Sequence, residues 1–170
     1  MLYNKPTIKS PSKAGYLETY HLETENTKVS IHTVVGGYES FLGVNNKQRL
    51  AYVLRGIGTA IFKPEDKTVA TLLEGTAVEV PAAQSFEMDG QLRYVLVESP
   101  NGAEILKNTK EENVTATAGD DSTLIYVLNG IGNLVIDGKI HVLREETLAE
   151  IPANSTYELK GNFEYIIARG

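Results

Sequence analysis

The chain has 170 residues and a formal net charge of −6, from 16 basic and 22 acidic side chains; an acidic surface repels phosphate backbones, which argues against nucleic acid as a partner. There is no cysteine, so disulfides, thiolate metal sites and cysteine nucleophiles are excluded. Hydrophobic residues make up 42% and charged residues 22%, the balance of a globular chain rather than a disordered one, and the length is enough to bury a core without staples.

Residues 1–15 carry Pro6 and Pro11 among Ser and Lys and read as an N-terminal arm. Met1-Leu2-Tyr3-Asn4-Lys5-Pro6 has no apolar signal core behind it, and no stretch approaches the ~20 apolar residues of a membrane span. The expectation is a cytoplasmic protein with no membrane partner. Beyond the arm, short runs rich in Val, Ile, Tyr and Leu are bounded by glycine or by Asn/Asp clusters, the pattern of strands. They are Val29–Val35, Leu50–Leu54, Thr59–Phe62, Thr76–Val80, Leu92–Val97, Thr123–Leu128, Leu134–Ile136 and Phe163–Ala168. The glycine pair in Gly56-Ile57-Gly58 reads as a link between two of them. Ala103–Lys110 is the one stretch compatible with a short helix. Asp137-Gly138 is a two-residue hairpin signal, because a type I′ turn needs positive φ at both central residues.

An internal repeat organises these strands. Tyr52-Val53-Leu54-Arg55-Gly56-Ile57-Gly58 recurs as Tyr126-Val127-Leu128-Asn129-Gly130-Ile131-Gly132. A second block follows, in which Thr76, Glu79, Pro81, Ala82, Glu87, Gly90 and Tyr94 recur as Thr147, Glu150, Pro152, Ala153, Glu158, Gly161 and Tyr165. The offset falls from 74 to 71 between the blocks because the connection near Lys63–Thr68 is longer than its counterpart at Asp137-Gly138. The repeat divides the chain into an arm (1–15), a first unit (16–99) and a second unit (100–170). A two-fold-like packing of the units would bury apolar surface that neither buries alone.

Both units resemble the cupin family. The first motif of that family ends in a strand and a glycine turn, as does the block from Tyr52 to Gly58. Its second motif is a glycine, five residues and a proline, then small residues leading to a histidine. Gly75 and Pro81 stand at that spacing, before Ala82-Ala83-Gln84-Ser85-Phe86, and the second copy has Glu146, then Pro152-Ala153-Asn154-Ser155-Thr156-Tyr157. The resemblance implies an all-β fold of two tandem cupin-like barrels, each a double-stranded β-helix or jelly roll. It also implies where metal ligands would stand. In the first unit the family's glutamate place falls on Arg49, its two histidine places on about Asn45 and Gly43, and its later histidine on Phe86. In the second unit these places fall on Thr123, Gly119, Thr117 and Tyr157. None is a ligand of the family's type, so no metal and no other cofactor is expected.

The remaining chemistry is sparse. Of His21, His32 and His141, His32 is the best acid/base candidate, since Val29–Val34 alternates and places it on one face with Ser30 and Val34. Glu87 and Glu158 point outward if Phe86, Met88, Tyr157 and Leu159 point inward, so both read as solvated. Tyr52, Tyr94, Tyr126 and Tyr165 stand at repeated positions and read as packing. Arg49, with Asn45 and Tyr52, is the most interesting cluster, because a planar guanidinium can grip a carboxylate or phosphate. The expected role is to bind a small polar ligand, a carbohydrate or an organic acid, with no defined catalysis. The candidate ligand-binding residues are Asn45, Arg49, Tyr52, Phe86, Thr123 and Tyr157. A metal-independent sugar isomerase or epimerase, as in the deoxysugar 3,5-epimerases that share this fold, and a structural or partner-binding module are the alternatives. A homodimer is left open.

Overall fold

The structure, a computed structural model, describes residues 2–3, 7–8, 16–34, 40–42, 46–63 and 65–170, with side chains over 22–34, 46–63 and 65–170. The described residues form strands and no helix. In chain order the first half gives β1 (Leu2–Tyr3), β2 (Thr7–Ile8), β3 (Tyr16–Glu23), β4 (Lys28–Val34), β5 (Ser40–Leu42), β6 (Gln48–Lys63), β7 (Lys67–Leu73), β8 (Ala77–Val80) and β9 (Ser85–Ser99). The second half gives β10 (Ala103–Asn108), β11 (Asn113–Thr117), β12 (Thr123–Ile136), β13 (Lys139–Arg144), β14 (Leu148–Ile151) and β15 (Thr156–Arg169).

Each repeat makes one antiparallel sheet. In the first, β6 and β9 pair along their whole lengths, while β7 and β8 flank successive halves of β6, and β5 and β4 flank successive halves of β9. In the second, β12 and β15 play the same parts, with β13, β14, β11 and β10 as flanks. The two long strands bend, so both ends of each face one core. Ala51 and Val53 from one end of β6 pack in a single cluster with Ala60 from the other end, and with Val78, Phe86, Met88, Tyr94 and Leu96. Ile125 and Val127 likewise share a core with Leu134, Ile136, Tyr157, Leu159, Phe163 and Tyr165.

The bend explains a difference from the sequence reading. Gly56-Ile57-Gly58 lies within one continuous strand and does not link two. A register irregularity between Val53 and Arg55 turns β6, and Gly56 takes φ +97° just beyond it. Gly130 does the same in β12, with φ +86° after an irregularity between Val127 and Asn129. A bulge bends a strand without ending its pairing. The Asp137-Gly138 turn forms with both residues at positive φ, 50° and 75°. Ala103–Lys110 is not helical. Ala103 to Asn108 pair residue by residue with β15, and Ala103 and Ile105 pack between the sheets, so tertiary pairing overrides the local preference.

The two sheets meet through a third apolar layer. Leu50, Val95 and Val97 pack there with their repeat counterparts Leu124, Ile166 and Ala168, joined by Val29, Ile31, Tyr126, Leu128 and Leu148. Because the same positions of both copies meet, the interface is two-fold-like, as expected of a duplicated unit. The N-terminal residues break this symmetry. Leu2 and Tyr3 pair with Ala149 and Leu148 on the edge of the second sheet, while β3 covers the edge of β4 and β2 pairs with β3. Among the described residues no helix is long and apolar enough to cross a membrane.

Candidate functional site

Strand alternation decides which side chains enter the concave face of the first sheet. Ala51 and Val53 face its core, so Arg49 on the same strand faces it too. Leu96 and Tyr94 bring Glu98 to that side of β9, and Val34 brings Ser30, His32 and Lys28 to that side of β4. The register sets Lys28 and Arg49 directly on either side of Glu98. With Glu23 on β3 opposite Lys28, one row across four strands alternates in charge as Glu23, Lys28, Glu98 and Arg49.

Arg49 is 4% exposed. Its guanidinium carbon lies 5.1 Å from the centre of the Phe86 ring, within cation–π range, and Nη2 donates to the Gln84 carbonyl oxygen. Burial pulls the guanidinium pKa below its ordinary value, and Glu98 opposes that shift. Deeper on the same face, Ser30 Oγ and His32 Nε2 share a hydrogen bond of 2.9 Å. The His32 ring stacks on Tyr94 at 5.0 Å and 7°. Both Ser30 and His32 are buried.

The second sheet builds its counterpart from different strands. Thr123 replaces Arg49 and is buried. Directly across from it stands Arg169 on β15, at the repeat position of Glu98. Arg169 acts on Tyr157, whose hydroxyl pKa burial raises while the nearby Arg169 charge lowers it. Nη1 of Arg169 also reaches Oε2 of Glu104 at 3.5 Å. Each copy thus places an arginine beside the aromatic residue of its second motif, Phe86 or Tyr157, but the arginine comes from the opposite strand of the central pair.

The structure brings Arg49 and Phe86 together and sets Thr123 and Tyr157 around Arg169. Tyr52 does not join Arg49. It lies three residues further along β6 on the other face and packs against the layer between the sheets. Asn45 lies outside the described residues. Glu87 also differs from the solvated reading: it faces outward yet is buried, with Lys63 Nζ 3.3 Å from its carboxylate. Glu158 is half-buried and pairs with Lys160 at 3.3 Å. Tyr94, Tyr126 and Tyr165 are buried as packing residues. Among the described residues no group of three or more His, Asp or Glu could hold a metal ion. Arg169 escaped notice because its counterpart is the oppositely charged Glu98, so the repeat gives no identity to see.

No protein-family model and no curated protein sequence matches this chain. Solved structures do. A cupin 2 conserved barrel domain protein from Leptotrichia buccalis aligns over 97% of this chain and 95% of its own, at TM-score 0.72 and 18% identity. Ylba from E. coli, a DUF861 protein, aligns over 98% and 88%, at 0.78 and 16%. Bacillus subtilis oxalate decarboxylase, a protein with Mn(II) centres, aligns over 99% and 77%, at 0.70 and 8%. The likeness extends over nearly the whole chain and is one of fold: the chain has a cupin-like all-β fold.

Proposed function

We propose that the chain comprises two tandem cupin-like barrels, each a double-stranded β-helix, that bind a small polar ligand without a metal, an organic acid in preference to a neutral sugar. The observation that carries this reading is Arg49 stacked on Phe86 in the first sheet. The family resemblance puts a glutamate and a histidine at those two places. Phe86 has no lone pair and Arg49 brings a positive charge, so the pair does not fit a first-row cation. Across the sheet Glu23, Lys28, Glu98 and Arg49 alternate in charge, and Arg49 is the group among them whose planar fork suits a carboxylate. In the second sheet Glu104 balances Arg169, and Thr123 and Tyr157 add hydroxyls suited to a neutral or zwitterionic group. Oxalate decarboxylase shares the fold with Mn(II) centres, but this chain's Arg49 and Phe86 point to different chemistry at that place.

Calorimetric titration with small mono- and dicarboxylates and with neutral sugars tests the proposal. A carboxylate binds and a neutral sugar does not. Arg49→Lys, which keeps the charge but loses the planar fork, weakens the acid about tenfold. Tighter binding of a neutral sugar, unchanged in Arg49→Lys, contradicts it.

A second reading, a metal-independent isomerase or epimerase, has one observation in its favour: a titratable side chain, His32, lies on the concave face of the first sheet, hydrogen-bonded to Ser30. Such an enzyme exchanges a carbon-bound proton of a sugar with solvent deuterium, and His32→Asn stops the exchange. A purely structural module shows neither ligand binding nor exchange.

A further inference from the structure

The two-fold relation between the repeats exposes an asymmetry at their edges. In the second copy, the free edge of β14 is covered by β1, with Tyr3 opposite Leu148 and Leu2 opposite Ala149. In the first copy the equivalent edge belongs to β8, whose Ala77 and Val78 stand where Leu148 and Ala149 stand. Among the described residues β8 pairs with β6 alone. The same holds for the other flank. The edge of β4 is covered by β3, whereas among the described residues its counterpart β10 pairs only with β15. One arm serves two equivalent seats. Ser99 to Ala103 joins β9 directly to β10, so the second copy has no arm of its own to fill the other seat.

Among the described residues nothing pairs with the second seat, and a groove lies there. A cavity of about 540 Å³ runs between the β8 and β10 edges, lined by Leu50, Ala77, Glu79, Ala103, Ile105 and Leu106 among others. It adjoins a second cavity of about 250 Å³ that shares Leu50, Glu79 and Ala103. Leu50, Ala103 and Ile105 belong to the apolar layer between the sheets, so the groove continues an interface the protein already uses. Its β8 wall offers backbone groups. Val53 N donates to the Thr76 carbonyl at 2.9 Å, and antiparallel alternation then turns the N–H groups of Ala77 and Glu79 away from β6 and into the groove. Glu79 is exposed beside them.

We infer that the groove between β8 and β10 is a strand-addition site for an extended peptide segment of another polypeptide, one carrying apolar residues and a positive group. Main-chain hydrogen bonds to Ala77 and Glu79 supply the affinity, and the apolar wall and the Glu79 carboxylate supply the selectivity. The arm of this chain is the template for the ligand. In the register that β1 uses on β14, residue 1 of such a peptide falls opposite Glu79, where its α-amino group or a lysine side chain pairs with the carboxylate.

The test titrates the full chain into a peptide of residues 1–9, labelled at its C-terminus, and follows fluorescence anisotropy. Saturable one-to-one binding is expected. Glu79→Pro removes an outward N–H from an edge strand, where proline is tolerated, and weakens binding about tenfold, the equivalent of one or two backbone hydrogen bonds. Its circular dichroism and thermal midpoint stay those of the parent. Should Glu79→Pro fold poorly, Glu79→Lys keeps the backbone intact and still weakens binding several-fold. No saturable binding overturns the proposal. So does binding that neither variant changes, which would mean the peptide displaces β1 from β14. A dimer in sedimentation velocity that Glu79→Lys dissociates would give the groove to a second copy instead, and overturn it equally.

Discussion

Arg93 and Glu164 occupy the same place in the two repeats with opposite charge, and each reaches across to the other copy. Arg93 forms an ion pair with Glu146 of the second copy, and Glu164 acts on the Tyr52 hydroxyl of the first, adding to the rise that burial gives its pKa. The duplicated interface therefore keeps its apolar centre two-fold-like but has diverged at the rim into complementary charges, which fixes one pairing of the copies. The pair at Arg93 is partly exposed, with 30% and 47% of the two side chains accessible, so water screens it. Arg93→Glu sets like charges together and lowers stability by about 1 kcal/mol in urea denaturation, less at high salt. An unchanged midpoint at low salt would remove the pair from any role.

The bends of β6 and β12 depend on glycine for a steric reason. A Cβ on Gly130 would lie 2.7 Å from the Phe163 Cα and closer still to the Asn162 carbonyl oxygen, at φ +86°. Gly138 also has positive φ, 75°, but nothing lies within 4 Å of its Cβ position. Gly130→Ala should cost about 3 kcal/mol or more, and Gly138→Ala about 1 kcal/mol. Equal costs in a denaturation series would mean that the turn conformation alone matters and the close approach of β12 to β15 does not.

Burial raises the hydroxyl pKa of Tyr52, Tyr126, Tyr157 and Tyr165 above the ordinary 10.0. In the unfolded chain these phenols ionise near 10. The unfolded state therefore loses protons first as pH rises, and folding stability falls from about pH 10 upward. Below that pH the contribution is fully present. Absorbance near 295 nm should show these tyrosines titrating later than free tyrosine, Tyr126 latest because it is 1% exposed. Thermal midpoints should drop over the same alkaline range. Titration of all nine tyrosines as one group near pH 10 would contradict the burial.

Ser30 and His32 form a buried polar pair, so removing either takes a hydrogen bond from the other. Ser30→Ala and His32→Ala should each destabilise the chain, and the double variant should lose less than their sum, with a coupling of about 1 kcal/mol. Strict additivity would show that the 2.9 Å contact contributes nothing.

Much of the fold was legible because duplication writes its own evidence. Tyr52–Gly58 and Tyr126–Gly132 revealed the two copies, and counting from Gly56 and Pro81 reached Arg49 and Phe86, which the structure brings into contact. The repeat was least informative where the copies had diverged by charge. Glu98 and Arg169 share a position, and so do Arg49 and Thr123, yet identity matching sees neither exchange. The glycines of Gly56-Ile57-Gly58 read as a turn because a positive φ is needed at a turn and at a strand bulge alike. Ala103–Lys110 showed no clean alternation, and only its pairing with β15 sets Ala103 and Ile105 against one layer and Leu106 against the other side. The face of β4 that carries His32 is set by its long-range partner β9, which local sequence does not report.

Elemental analysis of the purified protein tests the central claim most directly, because a guanidinium held over a phenyl ring cannot share its place with a cation. Protein produced with iron, manganese, nickel and zinc in the medium should carry none of them in stoichiometric amount. About one tightly held metal ion per parent chain, lost when Arg49 or Phe86 is replaced by alanine, would contradict the account.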